Sequence, residues 1–183
     1  MKTISIEIQG ISPLLMNRYG GEKPSEPKPP RGKKTQDWID KKHHQQWTEA
    51  AHWVDGKGFH IPPEALEAML SCGARKIRMG QDFKQCVSIV EDFVPLLVWD
   101  GSEKYRPANG TLESYYRREH IGLRGVVIGK ARVDRCRPVF KDWSLKFNVS
   151  FDESIVTEEN IKTALERQQV GDFRPRFGRF KVV

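Results

Sequence analysis

Residues 2–9 read KTISIEIQ, and this short stretch decides the fold class. Ile4, Ile6 and Ile8 fall on one side of an extended chain, with Thr3, Ser5 and Glu7 on the other. A period of two predicts a strand with one buried face and one open face. Residues 143–151, WSLKFNVSF, repeat the pattern. There Leu145, Phe147, Val149 and Phe151 alternate with Lys146, Asn148 and Ser150. Both strands therefore belong to a sheet that hides one face and leaves the other exposed.

Working outward, Ile11 to Asn17 forms an apolar turn leaving the first strand. Residues 20–34 hold Pro24, Pro27, Pro29 and Pro30 among charges, which predicts a mobile loop. Residues 35–53 predict a helix with Ile39, Trp47, Ala50 and Ala51 buried. Asp55 to Gly58 is a turn, and Phe59-His60-Ile61 is extended. Pro62-Pro63-Glu64 then opens a helix, because proline fits the first turn and an acid suits the positive end of the dipole. Its apolar face is Ala65, Leu66, Met69 and Leu70, and its end lies near Gly73 or Ile77.

Residues 86–98 predict one long strand or two short ones, and residues 100–110 a polar loop. Residues 125–137 predict a further strand. Thr157-Glu158-Glu159 caps a helix running to about Gln169, with Gly171 as its stop. Residues 176–183 form the last strand. Without its insertions the order reduces to βαββαβ, an α+β, ferredoxin-like (RRM-like) core. That core is an antiparallel sheet with helices on one face. The expectation is one domain over residues 1–183, with a mobile loop at 20–34 and a candidate thumb-like insertion at 100–124.

Composition narrows the setting. The chain of 183 residues is 38% hydrophobic and 30% charged, which suits a soluble protein with polar loops. No apolar run approaches the roughly 20 residues that cross a bilayer, and the N-terminus lacks the apolar stretch of a signal peptide. Cys72, Cys86 and Cys136 are scattered, so neither a disulfide framework nor a zinc site is expected, and a reducing cytoplasm is. No P-loop, HExxH or GxSxG motif is present, and no cofactor is expected. A formal charge of +7 favours polyanionic partners.

Two segments concentrate that charge. GDFRPRFGRF, residues 171–180, carries Arg174, Arg176 and Arg179 among Phe173, Phe177 and Phe180, with Gly178 between. Guanidinium forks suit phosphates, and aromatic faces suit either bases or core packing. The second segment, from Tyr115 to Lys141, carries Arg117, Arg118, Arg124, Lys130, Arg132, Arg135 and Arg137. On a strand, Lys130, Arg132 and Asp134 would share one face. His43-His44 offers a general base for a ribose hydroxyl, although adjacent helical histidines point different ways.

Three of these stretches together resemble the RAMP superfamily of CRISPR-associated proteins. They are the opening strand with Ser12-Pro13-Leu14, the run Phe59 to Leu66 leading to Met69-Leu70 and Arg75, and Phe177-Gly178-Arg179-Phe180. The resemblance implies an RRM-like protein of the guide-RNA backbone type, or a phage or mobile-element relative of it. It implies binding of single-stranded nucleic acid, RNA in preference to DNA, with copies assembling along the strand or within a ribonucleoprotein. No catalytic residue and no membrane are expected in that reading. The alternatives are a guide-RNA processing ribonuclease using His43 or His44, and a phage single-strand DNA-binding or annealing protein. A structural protein with an acidic partner is a further alternative.

Overall fold

The strand predicted from KTISIEIQ is β1, Lys2–Gly10. Ile6 and Ile8 are buried, Ile4 packs against the same core, and Thr3, Ser5 and Glu7 are exposed. A computed structural model describes residues 1–18, 32, 34–99, 101, 105–129, 131–166 and 168–183, with the side chains of Ile128 and Ala131 left out. Nearly all of the predicted Pro-rich loop, 20–34, lies outside the described residues, as does Lys130.

The elements follow in chain order. They are β2 (Leu14–Leu15), α1 (Gln36–Ala50), β3 (Trp53–Val54), β4 (Gly58–Ile61), α2 (Pro63–Ala74) and α3 (Gly80–Cys86). Next come β5 (Val87–Ile89), β6 (Val94–Pro95), β7 (Leu97–Trp99), β8 (Tyr105–Pro107), β9 (Ile121–Ile128) and β10 (Ala131–Phe140). The last three are β11 (Trp143–Phe151), α4 (Glu158–Leu165) and β12 (Phe180–Val182). The class is α+β with antiparallel sheets.

Among the described residues the main sheet runs β12-β1-β11-β7-β8, with β5 also on β11. All of its pairs are antiparallel. β1 and β11 pair from Lys2↔Phe151 to Gln9↔Ser144, so their two alternations coincide. One face buries Ile6, Ile8, Leu145, Phe147, Val149 and Phe151. The other presents Ser5 opposite Asn148 and Glu7 opposite Lys146. β5 and β7 share one edge of β11, and Glu91 bridges the gap between them. Its carboxylate accepts from the backbone N–H of Asn148 at 2.9 Å and from Asn148 Nδ2 at 2.7 Å.

α2 and α4 bury their apolar residues in the same core: Leu66, Met69, Leu70 and Ala74 from α2, Ile161, Ala164 and Leu165 from α4. They touch backbone to backbone at Gly73. A Cβ there would stand 1.8 Å from the Ala164 carbonyl oxygen, so no larger residue fits. Two smaller sheets, β2-β10-β9 and β3-β4-β6, extend the body. α1 packs on β10 through Gln46, which accepts from the Cys136 N–H, and on the turn before β9 through Trp47, whose indole donates to the His120 carbonyl at 2.8 Å.

Several expectations are corrected. α1 stops at Ala50, and Trp53 belongs to the β3–β4 hairpin, since the chain turns extended at Ala51. Ala65 is exposed; Leu66, Met69 and Leu70 carry the buried face of α2. Cys86 ends a short helix, and the following run is cut into three short strands with Pro95 among them. The stretch 100–110 is not only loop, because Tyr105–Pro107 pairs with β7. Residues 125–137 belong to two strands, turned at Gly129. α4 ends at Leu165, well before Gly171. Residues 176–179 are not strand; β12 is confined to Phe180–Val182.

Candidate nucleic-acid interface

The Gly171–Arg179 loop is fixed by backbone hydrogen bonds to the segment that leaves β1. Gly178 N donates to the Pro13 carbonyl at 2.8 Å, and Asp172 N to the Leu15 carbonyl at 2.9 Å. Arg179 N donates to Ser12 Oγ at 2.9 Å, and Ile11 N to the Arg179 carbonyl at 2.8 Å. Gly178 sits at φ +72 with its Cα against Val170. A Cβ would lie 1.6 Å from the Val170 oxygen, so only glycine closes the loop here. Ser12-Pro13-Leu14 and Phe177-Gly178-Arg179, far apart in the sequence, form one hydrogen-bonded unit.

Upon this frame Arg174, Arg176 and Arg179 are exposed. Phe177 is not: it is 4% accessible, and the Arg124 guanidinium covers its ring at 4.9 Å from the centroid. Phe177 and Gly178 therefore build the loop, and neither offers an open face to a base. Arg137 lies over Phe173 at 5.3 Å and forms an ion pair with Asp172. Two cation–π contacts and one ion pair thus tie the β9–β10 hairpin to the C-terminal loop. The two basic segments of the sequence become neighbours.

Register sorts the hairpin's charges by face. Arg124 stands directly opposite Arg135, and Arg137 opposite Gly122, so all three arginines share the face turned to Phe173 and Phe177. Arg132 stands opposite Val127 and shares the other, exposed face with Asp134. Arg117 and Arg118 are exposed on the turn before β9. The loop arginines and Arg124 are thus brought together, whereas Arg132 lies on a different surface. The role of Arg137 and Asp172 as the joint was not foreseen. Only their opposite charges were legible, because pairing them requires the loop and hairpin to meet.

The histidines fall elsewhere. His44 Nε2 lies 2.9 Å from Glu113 Oε1, and the ring stands edge-on to Tyr116 at 4.5 Å. This pins α1 to the turn at Leu112–Tyr115. His43 is half-buried, beside it in sequence. His52 and His60 form an edge-to-face pair at 5.8 Å. Burial above all, then His60 and Arg18, lowers the His52 pKa to about 4. Burial pushes the Cys136 thiol up to about 11, so it is a packing residue. Among the described residues no group of histidine, cysteine and carboxylates could hold a metal ion. No helix among them is long and apolar enough to cross a membrane.

No protein-family model and no curated protein matches this chain.

Proposed function

We propose that the chain is a non-enzymatic module that binds single-stranded nucleic acid, RNA in preference to DNA, on a ferredoxin-like core of the RAMP type. The observation that carries this is the junction of the two basic segments. Arg124 lies on Phe177, beside a loop whose Arg174, Arg176 and Arg179 all face solvent. Exposed guanidinium groups held on a rigid loop can follow a phosphate backbone without reading bases.

The strand order supports the ferredoxin-like reading of the core. β12-β1-β11-β5 is antiparallel throughout, α2 lies between β1 and β5 in the chain, and α4 between β11 and β12. Hydrogen bonds join Ser12-Pro13 and Gly178-Arg179, two of the stretches that carry the RAMP resemblance, into one unit. In this reading copies of the module line up along one strand, with residues 100–124 as the thumb-like contact and the β9–β10 hairpin lying beside the arginine loop.

The test is binding of labelled single-stranded RNA and DNA across a salt series. Expected is binding at low salt that weakens steeply as salt rises, with RNA bound more tightly. No binding at low salt, or affinity indifferent to salt, overturns the reading. Cleavage of the RNA that disappears in His43→Ala/His44→Ala would replace it with the ribonuclease.

A further inference from the structure

A cavity of about 410 Å³ lies between the outer face of α2 and the segment Gln169–Arg174. Much of its wall is apolar, from Met16, Ile61, Pro62 and Met69. Its floor is the part of α2 where Ala65 and Ala68 present only methyl groups. Ala65 is exposed, and its apolar side faces this cavity instead of the core.

A few polar groups converge on these walls. His52 lines the cavity with its imidazole neutral near pH 7, able to donate from one nitrogen and accept at the other. Asp172 lines it as well, anchored by Arg137. Arg174, exposed, is on the rim. Arg18 is near enough to act electrostatically on both His52 and His60. Apolar walls with few convergent polar groups are the usual make-up of a small-ligand site, and this volume is within the usual range. The ligand that fits has a flat apolar body, a hydrogen-bonding edge and a negative charge next to it. A nucleotide has all three.

We infer that this cavity receives one unstacked base of the bound strand, with the adjoining phosphate at Arg174 and Arg18. The inference rests on the nucleic-acid reading above, and it adds a place where a base is bound and not only its backbone. Single-stranded recognition works on splayed bases, and each captured base adds affinity beyond the electrostatic term.

The probe is a short single-stranded RNA carrying 2-aminopurine, followed by anisotropy for binding and by 2-aminopurine emission for base capture. Wild type should show both signals together. Ala65→Trp fills the cavity from an exposed helix position and replaces none of the loop arginines. It should abolish the emission change and weaken binding about tenfold. Cys72, exposed and lining the same cavity, gives a second readout without a substitution in the cavity. Bound RNA should protect it from alkylation, mapped by mass spectrometry. Unchanged emission and affinity in Ala65→Trp, or Cys72 alkylated equally fast with RNA bound, overturns the pocket while the nucleic-acid reading stands. Absence of any anisotropy change for wild type overturns both.

Discussion

At the scale of single residues, the loop and the cavity depend on a few positions. Gly178 has a left-handed backbone, and a Cβ there would stand 1.6 Å from the Val170 oxygen, so Gly178→Ala must open the loop from Ser12. Loss of about 3 kcal/mol or more in urea unfolding is expected. A change below about 1 kcal/mol would mean that the loop is not closed as described. His52 gives a pH signature. Its folded pKa, about 4, is below the ordinary value of 6.5, so the unfolded chain binds the extra proton between those values. Stability then rises with pH across that window and is lost as pH falls from about 6.5 toward 4. His60 is lowered too, chiefly by burial, and adds in the same direction. His52→Gln should flatten the fall by about 2 kcal/mol over the window. An unchanged slope in that variant would show that His52 is not held neutral by its surroundings.

At the scale of elements, much was legible. β1, β11 and the opening of α2 follow from alternation and from the Pro-Pro-Glu start, because there local pattern and burial agree. Three elements were not legible, each for a physical reason. The β9–β10 hairpin turns at Gly129 with no Asn-Gly or Asp-Gly signal of a tight turn, so two strands read as one. α3 buries only Phe83 and thus shows no apolar period. Residues 176–183 read as strand, yet Phe177 is held under Arg124 from the hairpin and the strand is confined to Phe180–Val182. That contact depends on tertiary structure, and so the burial of Phe177 could not be decided from its neighbours in sequence. The main sheet has its own weak point where β5 gives way to β7 on the edge of β11. Glu91 covers it by accepting the Asn148 N–H. Glu91→Ala should strand that donor and cost about 1–3 kcal/mol, read by denaturant midpoint and by faster hydrogen exchange at Asn148. An unprotected Asn148 amide in wild type would show that the edge is open there.

At the scale of the whole molecule, a formal charge of +7 is a statement about partners only if the charge is gathered. The fold gathers it. The C-terminal loop returns to the exit of β1, the hairpin folds over the same loop, and exposed arginines from the former lie beside Arg124 from the latter. Neither segment alone distinguishes a binding surface from a solvated one, and their junction is what favours the first. The consequence is quantitative. Each phosphate neutralised on a single strand contributes about −0.7 to the slope of log K against log salt. Arg174→Ala/Arg176→Ala/Arg179→Ala should therefore weaken RNA binding at low salt and flatten that slope by about 2. The fold should be preserved, because all three side chains are exposed and the loop's hydrogen bonds run through backbone atoms, Ser12 and the Asp172–Arg137 pair. Arg132→Ala, on the far face of the hairpin, should change the slope by less than one of these substitutions does alone. A triple variant with the wild-type slope would move the phosphate track off the C-terminal loop, and an Arg132 effect as large as the triple's would move it to the hairpin's other face.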